Sequence, residues 1–210
     1  MTRPAPKGWC PGAFSPMMSG DGLLVRIKPR LAHLTAEQAA GLCRAARCHG
    51  NGVIDLTNRA NLQIRGVSET GHQPLLAELG RLGLLDDTPA LENRRNILVA
   101  PDWEDGDETC HIAARLTERL ADLPDLPAKF GFAIDTGRAP VFGGDSADIR
   151  IERSATGGLI LRADGAETGL PVTTDDAVGR AIALARWFVQ TGGGGTRRMA
   201  RHLGRTPLPG

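Results

Sequence analysis

The sequence contains no tyrosine, which excludes tyrosyl or phenolate chemistry. Lysine is nearly missing as well: Lys7, Lys28 and Lys129 are the whole set, and every other basic residue is arginine apart from five histidines. No apolar run approaches the roughly 20 residues that a membrane-spanning helix needs. The opening Met1-Thr2-Arg3-Pro4-Ala5-Pro6-Lys7 lacks the apolar core of a secretory signal. A cytoplasmic protein with no membrane partner is therefore expected. Charge of one sign is also lacking. Lys and Arg total 25 against 24 Asp and Glu, a formal net charge of +1. The surface as a whole offers nucleic acid no strong attraction, so any cationic function must be local.

The four cysteines, Cys10, Cys43, Cys48 and Cys110, are scattered. Reduced thiols are the default in a cytoplasmic chain. Cys43 and Cys48 fall on an expected helix, where five steps of about 100° put them on different faces; core packing is their expected role. The histidines His33, His49, His72, His111 and His202 do not pair at metal-ligand spacing, so no metal ligands are assigned. The run Gly192–Gly195 is not followed by Gly-Lys-Ser or Gly-Lys-Thr, so it reads as a hinge rather than a phosphate loop.

What is present is a patterned chain of 210 residues, long enough for one large or two small domains. Residues 1–20 are rich in Pro and Gly and read as an irregular lead-in, pinned by Trp9, Phe14, Met17 and Met18. Leu23 to Ile27 reads as a strand, with Arg26, Lys28 and Arg30 on one face. Thr35-Ala36-Glu37-Gln38 is a capping box that opens a helix to about His49. The next strand, from Val53 to Ile64, would complete a crossover unit of the kind that makes a right-handed parallel pair. A helix from Pro74 to Leu85 follows, with Pro74 in its first turn, then a linker to Asn93. Further on come a strand at Asn96–Val99, a helix at Thr109–Leu120 capped by Thr109, and a strand at Phe130–Ile134. A hairpin is expected from Asp148–Ile151 and Leu159–Arg162, and a long helix over Thr174–Gln190 capped by Thr174.

The stretch from Leu56 to Gly66 stands apart. Thr57, Arg59, Asn61, Gln63 and Arg65 alternate with Leu56, Asn58, Ala60, Leu62 and Ile64, which are mostly apolar. That alternation predicts a strand with one buried face. Its other face would carry a row of hydrogen-bonding groups, with Arg59 and Arg65 about 20 Å apart at a strand's rise per residue. Arginine grips carboxylates through a two-pronged fork, so the row suits a large flat ligand bearing several carboxylates. The plainer alternative is a solvent-wetted sheet face. Such faces carry charges of both signs, whereas this row has no Asp or Glu.

Thr57-Asn58-Arg59-Ala60-Asn61-Leu62-Gln63-Ile64-Arg65-Gly66 resembles the Thr-x-Arg-x-x-x-Gln-x-x-Gly signature of the sirohaem sulfite and nitrite reductase family. Three further stretches resemble its precorrin-3B synthase branch. They are Gly8-Trp9-Cys10-Pro11-Gly12-Ala13, Arg94-Arg95-Asn96-Ile97-Leu98 and Leu126-Pro127-Ala128-Lys129-Phe130-Gly131-Phe132-Ala133. They stand in family order, and the resemblance spans about Gly8 to Arg205. It implies an α+β fold. Residues 1–85 would hold the lead-in and a ferredoxin-like half-domain, and residues 86–210 a nitrite/sulfite reductase-type mixed α/β domain with a C-terminal tail.

For the site, the resemblance implies that Arg59, Asn61, Gln63 and Arg65 meet the carboxylate arms of a tetrapyrrole. Arg95 matches the Arg of the family's Asn-Arg-Asn stretch, although Arg94 stands in place of its first Asn. Lys129 matches the first Lys of the reductases' Lys-x-Lys pair; Gly131 occupies the second place, which fits the synthase branch better. No catalytic residue is identified. The implied activity is oxygen-dependent hydroxylation and lactone formation on precorrin-3A in aerobic cobalamin biosynthesis. The implied cofactors are a 4Fe-4S cluster and an iron, yet the family's paired cluster cysteines are absent from this sequence. The chain therefore reads as the N-terminal, substrate-cradling half. It would need a second half, supplied by a missing C-terminal part, a partner chain or a homodimer. Two other readings stay open: a non-catalytic tetrapyrrole-binding module, and a fragment of a sirohaem reductase that would hold sirohaem.

Overall fold

The structure, a computed structural model, describes residues 11–208. Gly8, Trp9 and Cys10 of the first resembling stretch lie outside the described residues. The chain forms two compact units. The first takes in the described residues up to Arg30 together with Leu34–Glu92; the second takes in Leu31–His33 and the chain from Asn93 onward. The fold class is α+β.

In the first unit, strands β1 (Met17–Ser19), β2 (Gly22–Ile27), β3 (Ile54–Leu56) and β4 (Leu62–Val67) make one antiparallel sheet in the order β1-β2-β4-β3. The expected parallel pairing of β2 with the strand after the helix is corrected here, because β4 lies between β2 and β3. Helices α1 (Ala36–His49) and α2 (Glu69–Arg81) supply the other layer. Val25, Ile27, Leu42, Ile64, Leu75 and Leu79 are among the core residues.

Helix α1 starts where the capping box puts it: Thr35 Oγ1 accepts from Gln38 N at 3.1 Å and Gln38 Oε1 accepts from Thr35 N at 3.0 Å. Its buried stripe is Gly41, Leu42, Ala45 and Ala46. Cys43 and Cys48 fall outside that stripe and are exposed, so the expected core role is wrong; small alanines take the inner positions instead. Helix α2 begins five residues before Pro74, because Ser68 Oγ accepts from Gly71 N at 3.0 Å and caps it there. Pro74 lies inside the helix, not in its first turn. Met18 is half exposed and does not pin the lead-in. Phe14 packs against the core as expected, and Glu92 adds to its hold: Oε1 accepts from Ala13 N at 2.6 Å and Oε2 from Phe14 N at 3.3 Å.

Helix α3 (Pro89–Arg94) occupies ground expected to be a linker; it begins in the first unit, ends in the second and runs into β5 (Ile97–Val99). Strands β5, β6 (Phe132–Asp135) and β7 (Ile149–Arg153) are parallel. β8 (Leu159–Ala163) and β9 (Leu170–Pro171) continue the sheet antiparallel in the order β5-β6-β7-β8-β9. The β7–β8 hairpin matches the expectation. Helices α4 (Glu108–Glu118) and α5 (Ala177–Gln190) pack on the sheet. Asp107, not Thr109, caps α4, accepting from Cys110 N at 2.7 Å; Thr109 is buried with its hydroxyl 2.6 Å from that of Thr136. Helix α5 starts three residues later than Thr174 suggests, and Thr174 Oγ1 donates to Glu108 at 3.1 Å.

The crossover between β6 and β7 contains no helix. Residues 136–148 instead lay Phe142 against Leu98, Ala133 and Ala147. Asp135 Oδ2 accepts from Val141 N at 2.7 Å and Phe142 N at 2.9 Å. Arg150 donates back to the carbonyls of Phe142 and Asp145.

Candidate functional site

The stretch 56–66 is not one strand. β3 ends at Leu56, residues 57–61 turn, and β4 begins at Leu62. The turn is closed by Thr57, whose N–H donates to Asn61 O at 2.9 Å and whose hydroxyl oxygen accepts from the amides of Arg59 (3.4 Å) and Asn61 (3.2 Å). Ala60 adopts φ 52 to complete it. The polar residues Thr57 and Asn61 alternate like a strand while doing the work of a loop, since short hydroxyl and amide side chains bond their own backbone. Leu56, expected on the buried face, is 82% exposed. The straight row, and the 20 Å span derived from it, do not exist.

From Leu62 onward the alternation holds. Leu62 and Ile64 are buried, and Gln63 and Arg65 face away from the core. β2 lies alongside with Arg26 opposite Gln63. Arg26 donates to Gln63 Oε1 from Nε at 3.2 Å and Nη2 at 2.7 Å. Arg26 of β2 and Gln63 and Arg65 of β4 thus share one face, while Lys28 turns to the carbonyl of Glu92. What sequence reasoning missed are the acids that hold Arg65. Arg65 pairs with Asp21 from the β1–β2 turn and with Asp55 from β3, and its Nη2 also donates to Ser19 Oγ at 3.1 Å. The Arg65 hydrogen bond holds the Asp21 carboxyl down to about 2, against an ordinary 3.8. Asp21, and after it Asp55, raise Arg65 further above its ordinary range. No local signal in the 56–66 stretch could have found Asp21, which lies 44 residues from Arg65; Asp55, only 10 residues away, stands just ahead of the stretch. Arg59, half-buried, stands in the turn ahead of this face.

Arg95 and Lys129 belong to the second unit, and its topology brings them to one edge. β5 and β6 run parallel with Ile97 beside Phe132, so the residues just ahead of each strand share the sheet's starting edge. Asn96 stitches that edge: its carbonyl accepts from Phe132 N at 2.9 Å and its Nδ2 donates to Phe130 O at 2.8 Å. Arg95 is buried there, and Lys129 is exposed in the turn before Phe130. Asp148, fully buried, fixes that turn: Oδ2 accepts from Gly131 N at 3.0 Å, and the Asp148 N–H donates to Gly131 O at 2.7 Å.

A 4Fe-4S cluster does not fit the described cysteines. Cys43 and Cys48 are exposed on α1 and Cys110 is on α4. Among the described residues no three His, Cys, Asp or Glu side chains group to hold a metal ion. None of the described helices is long and apolar enough to cross a membrane.

The family model for the nitrite/sulfite reductase ferredoxin-like half domain matches residues 15–82. A precorrin-3B synthase from a Sinorhizobium species is 36% identical over 158 residues, covering 71% of this chain and 33% of that protein. The chain thus spans about one third of that relative's length. The structure of the Mycobacterium tuberculosis NirA protein superposes with a TM-score of 0.66 at 18% identity, over 98% of this chain and 41% of that one. At that identity the likeness is one of fold.

Proposed function

We propose that this chain, whose residues 15–82 match the nitrite/sulfite reductase ferredoxin-like half domain and which is similar to a precorrin-3B synthase, is the tetrapyrrole-binding part of a precorrin-3B synthase-like oxidoreductase. The observation that carries the reading is the polar face of the first sheet. Arg26, Gln63 and Arg65 share that face, with Arg59 and Asn61 in the turn ahead of it. Arg59, Asn61 and Gln63 are the proposed contacts to carboxylate arms. Arg65, already held by Asp21 and Asp55, sets the face's shape and potential. Arg95 and Lys129 offer cations from the second unit to the same class of ligand. In this reading the first unit is the half-domain and the second the reductase-type α/β domain.

The whole enzyme's reaction would be hydroxylation and lactone closure on precorrin-3A, with oxygen as oxidant. A cluster and iron would supply electrons and oxygen binding there. No such step is assigned to this chain, whose described residues lack the ligands. Its own task is to bind and orient. A hydrogen bond to a charged group contributes about 1.5–3 kcal/mol, so a few such contacts suffice for tight binding.

Native mass spectrometry with sirohaem tests this. One ligand mass per chain is expected in the wild type, with occupancy lost in an Arg59→Ala variant that a melting curve shows to be folded. A chain that binds nothing, alone or with a cysteine-bearing second half added, sinks the proposal. Binding with no turnover after that addition would favour a non-catalytic module. Binding of sulfite or nitrite by the sirohaem-loaded chain would favour a reductase fragment.

A further inference from the structure

The starting edge of the second sheet holds a third cation. α7 (Met199–Leu203) follows a short turn of helix, α6 (Gly193–Thr196), and Arg198 stands between them. Arg198 Nε donates to Asp148 Oδ1 at 2.9 Å, and Nη2 donates to Ser146 Oγ at 2.6 Å. Asp148 is the carboxylate whose other oxygen takes the Gly131 N–H. One buried acid therefore fastens the Lys129 turn and the Arg198 guanidinium side by side.

Two further observations bear on this placement. Arg197 has φ 63, a left-handed conformation that side-chain-bearing residues rarely adopt. The chain accepts it to turn from α6 into the position that presents Arg198. Arg198 also keeps about a quarter of its side chain exposed, at 28%, while Asp148 is sealed at 0%. Among the described residues only its Nε and Nη2 are engaged, which leaves Nη1 for an incoming acceptor.

We propose that Arg198 is a further binding residue for an anionic oxygen group, a carboxylate arm of the tetrapyrrole, acting beside Lys129 and Arg95 and positioned by Asp148. The inference rests on the tetrapyrrole reading above. Asp148 neutralises part of Arg198 but does not bury it, since 28% of the side chain stays exposed. A guanidinium offers a carboxylate a planar pair of donors that a lysine cannot.

The test is titration of the full chain with sirohaem, followed by its visible absorbance, in wild type, Arg198→Gln and Lys129→Ala. Glutamine keeps a donor toward Asp148 while removing the charge, and a melting curve confirms folding. Arg198→Gln is expected to bind sirohaem at least about tenfold more weakly, the equivalent of one charged hydrogen bond. With sirohaem octamethyl ester, which has no carboxylates, wild type and variant are expected to bind alike. A loss that persists with the ester would mean a structural role only and overturn the inference. So would unchanged sirohaem binding in Arg198→Gln while Lys129→Ala weakens it, which leaves the proposed function standing. If the wild type binds no sirohaem, alone or with a cysteine-bearing second half added, the proposed function falls. Arg198 is then judged by its Nε–Hε NMR signal during titration with benzene-1,2,4,5-tetracarboxylate: a shift upholds anion binding, and a still signal overturns it.

Discussion

Arg65 and Asp21 meet through two parallel hydrogen bonds, Nε to Oδ2 at 2.9 Å and Nη2 to Oδ1 at 3.0 Å. Nη1 of the same guanidinium reaches Asp55 Oδ2 at 3.1 Å. One side chain thereby joins the β1–β2 turn, β3 and β4. The arrangement is local to one sheet and independent of any ligand.

Acid should release this clamp. The folded Asp21 value of about 2 lies below its ordinary 3.8. Its contribution to stability is therefore complete above the ordinary value and is lost as pH falls from there through about 2. The melting temperatures of wild type and Asp21→Asn should differ by a constant amount near neutrality and converge at the acid end. A gap that persists at the lowest pH would show that charge is not what Asp21 contributes.

Gly66 should resist substitution. Leu24 faces both Arg65 and Gly66 across a bulge between the pairs Leu23–Val67 and Val25–Ile64, and Gly66 takes φ 67 there. An added Cβ would also lie 2.7 Å from the Asn51 side chain. Gly66→Ala is expected to cost about 1–3 kcal/mol in urea unfolding. Combining it with Asn51→Gly should recover the steric part and leave the backbone part.

Asp148→Ala should be among the more damaging single changes in the second unit. It leaves Arg198 and the amides of Gly131 and Met199 without their acceptor. Removing one partner of a buried charged pair costs about 3–5 kcal/mol, and the exposed edge of Arg198 places this case toward the lower figure. Burial pushes the Asp148 carboxyl upward against the donors that pull it down. Chemical denaturation at neutral pH gives the number. Loss of sirohaem binding in a variant that stays folded would trace the effect to the two features Asp148 fastens, the Lys129 turn and Arg198.

Much of the fold was legible because its signals are local. The Thr35–Gln38 box, the alternation on β2 and from Leu62 along β4, and the β7–β8 hairpin are all set by neighbours in sequence. The hairpin turn at 57–61 was not legible, because Thr57 and Asn61 sit at strand spacing while their hydrogen bonds close a loop. The start of α4 was misplaced because Thr109, a good cap by type, is bonded to Thr136 across the unit. Asp21, which holds Arg65, and Asp148, which fastens Arg198, lie 44 and 50 residues away from them. Long-range partners of this kind leave no periodic trace.

The helix-free crossover has a consequence for how the second unit comes together. Asp135 and Arg150, from two strands paired in parallel, bind the backbone of the segment that connects those strands. Segment order and strand register therefore require one another. Neither can be gained early in folding or lost alone in local opening. Amide protons at Val141, Phe142 and along β7 should exchange with solvent as one cooperative group, with one common free energy of opening.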